Sequence, residues 1–230
     1  MSASTRPNTT APGSANVRSR ESPSAFVSVV VDGKPVRVAG GATLLDAIRA
    51  SGGWVPTLCH LAHGERRSVC RLCIVEVGGR VVTSCDRQAV GGEEILTGTE
   101  RLVGVRRTLM ELVLAEHGSC GEGCEVESLA LRLGVSQTRF SVPRPAPERV
   151  GGEFLEVRLD RCVHCDRCIR SCDRGVIARR GEGGNVTMGF DGGPSIDASR
   201  CTGCGDCVAA CPARVLEPSS RPLLEGVHRL

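Results

Sequence analysis

The sequence predicts an α+β protein of two small metal-bearing modules joined by a short helical connector. Three observations carry this. The first is a hairpin-then-helix pattern that leads into a cysteine loop. The second is a pair of closely spaced cysteine runs near the C-terminus, and the third is an amphipathic stretch between the two. Length agrees, because 230 residues accommodate two or three small cores. Composition explains why metal is needed. Aromatic residues make up 2% of the chain, with no Tyr, so the large rings that dominate ordinary cores are nearly absent. The fourteen cysteines follow no secretory signal and read as metal ligands rather than disulfides.

Residues 1–25 are rich in Ser, Thr, Pro, Asn and Arg without an apolar run, and read as a disordered tail. From Phe26, VSVVVDGKPVRV alternates apolar and polar residues about Asp32-Gly33, which predicts a hairpin. TLLDAIRASGG then reads as a short helix. Thr43 caps it, Asp46 sits three residues on, Leu44, Leu45 and Ile48 form the apolar face, and Gly52 ends it. Hairpin, helix and cysteine loop in this order predict a β-grasp ferredoxin over residues 26–98.

The loop supplies Cys59, Cys70, Cys73 and Cys85, with gaps of ten, two and eleven residues. Between the last two, IVEVGGRVVTS reads as two strands turning at Gly78-Gly79. Val77 then pairs with Arg80 and Cys85 returns beside Cys73. Four convergent thiolates suit a 2Fe-2S cluster, and structural zinc is the alternative.

The C-terminal runs are RCVHCDRCIRSC, with Cys162, Cys165, Cys168 and Cys172, and RCTGCGDCVAACP, with Cys201, Cys204, Cys207 and Cys211. Both read C-x2-C-x2-C-x3-C. In two-cluster bacterial ferredoxins the first three cysteines of such a run hold one 4Fe-4S cluster and the fourth ligates the other. That pattern assigns Cys162, Cys165, Cys168 and Cys211 to one cluster, and Cys201, Cys204, Cys207 and Cys172 to the second, within a dicluster domain over residues 148–230. Zinc is again the alternative. His164 reads as a neighbour of the cluster rather than a ligand, and the insert between the runs as a hairpin. Pro212 follows the second run, while Asp173 stands where the first would have proline.

In the connector, residues 99–147, ERLVGVRRTLMELVLAEH places Leu102, Val105, Leu109, Leu112 and Val113 at helical spacing, with Thr99 as the cap. CEVESLALRLGV predicts a second helix closed by Gly134, before the Pro-rich SVPRPAPER.

The run PTLCHLAHGERRSVCRLCIVEVGGRVVTSC resembles the 2Fe-2S module that opens the large iron-sulfur subunit of respiratory complex I. Similar modules occur in NAD-linked formate dehydrogenases, iron-only hydrogenases and the diaphorase part of NAD-reducing nickel-iron hydrogenases. Ser68 departs from the glycine usual two residues before the second cysteine, so the backbone there is expected to differ slightly. The gap of ten sets the chain apart from succinate dehydrogenase iron-sulfur subunits, whose plant-type gap is four. In the resembling family the connector carries a further 4Fe-4S cluster on H-x3-C-x2-C-x5-C. Here the matching HGSCGEGC offers only His117, Cys120 and Cys124. The segment reads as the remnant of a lost 4Fe-4S site; the alternatives are a three-ligand cluster, or one completed by Glu122 or a partner chain.

Three clusters on twelve cysteines would turn the formal charge of +3 into roughly −3, so the basicity is no argument for nucleic acid, and the scattered arginines read as solvated surface. Arg71, Arg161, Arg167 and Arg170 adjoin ligands, where they either favour reduction or do nothing electrical. No apolar stretch is long enough to span a membrane, and the expected location is the cytoplasm. There is no G-x-G-x-x-G between strand and helix, no P-loop and no hydrolase triad. The chain ends soon after Cys211, where catalytic relatives would continue.

The resemblance therefore implies a non-catalytic electron-transfer subunit with one 2Fe-2S and two 4Fe-4S clusters. It would relay single electrons between a flavoprotein that handles NAD(P)H and a catalytic oxidoreductase subunit of hydrogenase or formate dehydrogenase type. A freestanding multi-cluster ferredoxin and a metal-stapled redox-sensing module are the alternatives.

Overall fold

The computed structural model describes residues 26–143, 150–151, 154–180, 187–190, 200–219 and 223. The expected N-terminal tail and most of the Pro-rich loop lie outside these residues. Strands β1 (Phe26–Val31) and β2 (Lys34–Ala39) form the first hairpin, pairing Val31 with Lys34. Both turn residues take left-handed φ, +46° at Asp32 and +80° at Gly33, as a tight two-residue turn requires. Helix α1 (Leu44–Ala50) opens on a complete capping box: the Asp46 amide donates to the Thr43 hydroxyl, and the Thr43 amide donates to the Asp46 carboxylate. Its buried Leu44, Leu45, Ala47 and Ile48 pack on Val29 and Val31, which alternate along β1, and on Ile95.

Strands β3 (Ile74–Val77) and β4 (Arg80–Thr83) meet at Gly78-Gly79, with Val77 opposite Arg80 as expected. Strand β5 (Glu94–Leu96) completes a sheet of order β2-β1-β5-β3-β4, running parallel to β1 and antiparallel to β3. This is the β-grasp arrangement.

Helix α2 (Glu100–Glu116) starts at Thr99, whose hydroxyl accepts from the Leu102 amide. Its buried face differs from the expected one. Leu102, Arg106, Met110 and Ala115 are buried, Leu109 and Val113 are half-buried, and Val105 and Leu112 are exposed. The reason is Arg106, which was expected at the surface: its guanidinium donates to the Thr97 carbonyl at 2.7 Å and to the Ile74 carbonyl. A buried fork satisfying two main-chain acceptors on the sheet fixes the helix rotation where apolar spacing alone would not.

Helix α3 (Glu125–Arg132) ends before Gly134, which takes φ +69°. Beyond it lie strands β6 (Val150–Gly151) and β7 (Leu155–Val157), a 3-10 turn at Leu159–Arg161, and helix α4 (Arg167–Ser171). Strands β8 (Ile177–Arg180) and β9 (Thr187–Phe190) pair antiparallel in the expected insert hairpin. Helix α5 (Asp206–Ala210) and strand β10 (Leu216–Pro218) follow, β10 joining a small sheet of order β10-β7-β6.

The modules are not beads on a string. Leu58, Cys59 and Leu72 of the β-grasp unit, Met110 of α2, and Leu155, Val157, Val215 and Leu216 of the C-terminal unit share one apolar cluster. Arg132 of α3 also stacks over the Trp54 ring at 3.5 Å. No helix among the described residues is long and apolar enough to cross a membrane.

Candidate iron-sulfur sites

The β3-β4 hairpin brings Cys85 back to Cys73. The Ser84 amide and hydroxyl both donate to the Cys73 carbonyl, at 3.1 and 2.7 Å. Cys59 lies beside Cys70 and Cys73 beside Cys85, each pair in thiol-thiol hydrogen-bond contact. Cys59, Cys73 and Cys85 are buried and Cys70 is half-buried. The hydrogen bond from Cys59 draws the Cys70 thiol down to about 7, and that from Cys85 draws Cys73 down to about 6. The two donors are pushed up, by giving that bond and by burial. Backbone hydrogen bonds from Leu72, Cys59 and Leu58 also favour the Cys70 thiolate. Four converging thiols with donors aimed at sulfur fit a thiolate-held iron-sulfur centre.

Ser68 contributes what its position did not suggest. It keeps the left-handed backbone, φ +49°, that glycine would favour, so the expected backbone departure is not seen as loss of that conformation. Its hydroxyl lies 3.2 Å from the Cys85 sulfur, in a buried contact.

In the C-terminal unit the two runs fold as an internal repeat. Helix α4 is preceded by Asp166 at φ +62° and α5 by Gly205 at +82°; His164 at +50° matches Gly203 at +69°. Where the second run uses glycine, the first holds non-glycine residues in place through Arg179, which donates to the Asp166 carboxylate at 2.8 Å and to the His164 carbonyl at 3.0 Å. Cys162, Cys165, Cys168 and Cys211 line one small cavity, and Cys172, Cys201, Cys204 and Cys207 line another, each of about 20 Å³. The structure thus brings the fourth cysteine of each run to the first three of the other. Burial pushes the Cys162, Cys165 and Cys207 thiols up to about 12, and Cys168 well up as well. Thiols so buried ionise when a cation offsets the lost hydration, which is what iron ligation supplies.

Two of the four arginines next to ligands join the modules. The Arg170 guanidinium donates to the Cys59 carbonyl, and to the Glu65 carbonyl at 2.9 Å; Arg167 pairs with Glu125 at 2.8 Å and reaches the Leu58 carbonyl at 3.4 Å. Arg161 pairs with Glu217 at 2.8 Å, and Arg71 is exposed at φ +57°. Nothing in the sequence distinguished the clamping arginines, because their acceptors lie about a hundred residues away.

The connector requires a correction. Cys120 and Cys124, expected as metal ligands or thiols left over in a loop, are joined as a disulfide. The segment is not an open remnant: His117, Cys120 and Cys124 are buried together, and the carboxylate beside them is Glu127, from the first turn of α3, rather than Glu122.

Comparison with known proteins finds an iron-sulfur domain over each of the two cysteine-bearing units. A 2Fe-2S iron-sulfur cluster binding domain matches residues 24–100, and a 4Fe-4S dicluster domain matches residues 161–215. The NADPH-Fe(3+) oxidoreductase subunit alpha of Geobacter sulfurreducens is 31% identical over 206 residues, covering 83% of this chain and 24% of that protein. The NADP-reducing hydrogenase subunit HndD of Solidesulfovibrio fructosivorans is 30% identical, covering 83% of this chain and 36% of its own length. The NAD-reducing hydrogenase HoxS subunit gamma of Cupriavidus necator is 30% identical over 62% of this chain and 64% of that subunit. The chain therefore spans about a quarter to two thirds of these relatives. A chain in the crystal structure of an NAD+-reducing NiFe hydrogenase in the H2-reduced state superposes with a TM-score of 0.73 at 26% identity, covering 87% of this chain and 91% of that one. The chain thus carries a 2Fe-2S iron-sulfur cluster binding domain followed by a 4Fe-4S dicluster domain, and over most of its length it is similar to subunits of NAD(P)-linked oxidoreductases.

Proposed function

We propose that the chain is a non-catalytic electron relay in a multi-subunit oxidoreductase. Cys59, Cys70, Cys73 and Cys85 hold a 2Fe-2S cluster. Cys162, Cys165, Cys168 and Cys211 hold one 4Fe-4S cluster, and Cys201, Cys204, Cys207 and Cys172 the other. A flavoprotein partner exchanges hydride with NAD(P)H and passes single electrons, which these centres conduct to or from a catalytic subunit of hydrogenase or formate dehydrogenase type. The observation that carries the reading is the joining of the modules. Arg170 reaches from α4, two residues past Cys168, to the carbonyl of Cys59, so the first and second ligand sets lie within an arginine's reach. This favours direct hopping between modules without a cluster in the connector.

The test is anaerobic purification from native expression, followed by identification of copurifying subunits and by an iron assay with electron paramagnetic resonance. A stoichiometric flavoprotein and about ten irons per chain are expected. A stable monomer that exchanges electrons with no fixed partner would point to a freestanding ferredoxin. Zinc in place of iron would sink the relay altogether.

A further inference from the structure

The connector holds a compact set of donors that the twelve cluster cysteines do not use. His117 Nε2 lies 3.3 Å from the Cys124 sulfur and 3.8 Å from Glu127 Oε1. One ligand atom from each of His117, Cys120, Cys124 and Glu127 lies within 4.8 Å of the others.

Size separates two kinds of occupant. Around a single tetrahedral ion, bond lengths of about 2.0 to 2.3 Å place the donors roughly 3.3 to 3.8 Å apart. A cubane cluster inserts a whole layer of iron and sulfide, separating its protein ligands by roughly 6 Å. His117 Nε2 stands at the single-ion scale from the Cys124 sulfur and from Glu127 Oε1, and the two sulfurs, bonded to each other in the disulfide, need only part to that spacing on reduction. With every donor within 4.8 Å of the others, the family's 4Fe-4S cluster does not fit them.

The surroundings prepare these donors. His117 Nδ1 lies 2.9 Å from the Arg161 carbonyl, which can only accept, so Nδ1 carries the proton and Nε2 faces the sulfurs and the carboxylate. Such a main-chain acceptor behind the ring is the usual way a ligating histidine is oriented. The Ser119 hydroxyl, at 2.9 Å, and the Cys120 amide, at 3.2 Å, donate to Glu127 Oε1 and hold that carboxylate toward the sulfurs. Gly118 lets the loop close on the turn before Cys162. Its amide donates to the Asp160 carbonyl at 2.9 Å, and a Cβ there would stand 2.8 Å from that oxygen.

We propose that, with its two thiols reduced, this segment binds one divalent cation of the zinc class through His117, Cys120, Cys124 and Glu127, and so closes the turn between α2 and α3, which His117 Nδ1 and the Gly118 amide hold against the dicluster unit. The disulfide is the oxidised, metal-free counterpart. A small dithiol gives two electrons to the sulfur-sulfur bond, which breaks into two thiolates that take up the cation. The dithiol leaves as its cyclic disulfide with release of two protons. Soft sulfur with imidazole in a tetrahedral set selects zinc over magnesium or calcium.

The experiment uses the full chain with its clusters, kept anaerobic, treated with a small dithiol and one equivalent of Zn2+, then desalted. Elemental analysis should find about one zinc per chain above an unchanged iron content, and zinc-edge X-ray absorption a mixed sulfur and nitrogen/oxygen shell. Zinc should protect Cys120 and Cys124 from alkylation read by mass spectrometry. Glu127→Gln and Cys124→Ser should each weaken zinc retention at least about tenfold, with iron content reporting that the fold survives. The proposal is overturned by about four additional irons with a further cluster signal, by zinc retained equally in the variants, or by a disulfide that persists under dithiol with no zinc bound.

Discussion

Removing the Ser68 hydroxyl should lower the reduction potential of the 2Fe-2S centre. The hydroxyl is 3.2 Å from the Cys85 sulfur, and Ser68 and Cys85 are 6% and 3% exposed, so water cannot replace the contact. When Cys85 ligates as thiolate, the serine oxygen alone carries a proton, and it donates to sulfur. A hydrogen bond to a charged group contributes about 1.5 to 3 kcal/mol. Only the part that grows when the centre gains an electron moves the potential; a third to a half of it is about 1 kcal/mol. For one electron, where 59 mV corresponds to about 1.4 kcal/mol, that is roughly 40 mV. Ser68→Ala and Ser68→Gly should therefore both titrate about 40 mV lower than the parent, in anaerobic redox titrations followed by electron paramagnetic resonance. The glycine variant matters because Ser68 sits at φ +49°: glycine relieves that strain and alanine does not, so an electrostatic effect is common to both. The competing acceptor is Asp86, whose carboxylate also hydrogen-bonds Ser68. If the hydroxyl serves Asp86 instead, neither variant shifts the potential, and the reasoning is refuted.

Three further outcomes are expected. Cys211→Ser should disturb the cluster of the first run, and Cys172→Ser that of the second, each costing up to about four irons; if each substitution instead affects its own run, crossed ligation is wrong. Arg106→Met should destabilise the chain by about 3 kcal/mol, seen as a lower urea midpoint of the 2Fe-2S absorbance, because the Ile74 and Thr97 carbonyls lose a buried donor; an unchanged midpoint would mean that apolar packing sets the α2 rotation. Arg170→Ala should raise amide hydrogen exchange in the 58–65 loop without altering the β3-β4 hairpin, since it removes the donors to the Cys59 and Glu65 carbonyls. Exchange rising equally in both would mean general unfolding rather than a released clamp.

The local devices were legible in the sequence because neighbouring residues decide them. Asp32-Gly33 and Gly78-Gly79 turn where left-handed backbone is cheap, Thr43 and Asp46 cap each other across three residues, and the C-x2-C spacings wrap short helices and left-handed residues around their sulfurs. Tertiary structure decided what depends on distant acceptors. The periodicity of α2 left several faces possible, and carbonyls on the β-grasp unit chose the one carrying Arg106. Arg167 and Arg170 look like surface charges until Leu58 and Cys59 come to meet them. The spacing of HGSCGEGC showed three donors and suggested a loss. The fourth, Glu127, becomes a neighbour only when α3 turns its first coil back toward His117, because side-chain donors converge through the fold and not along the chain.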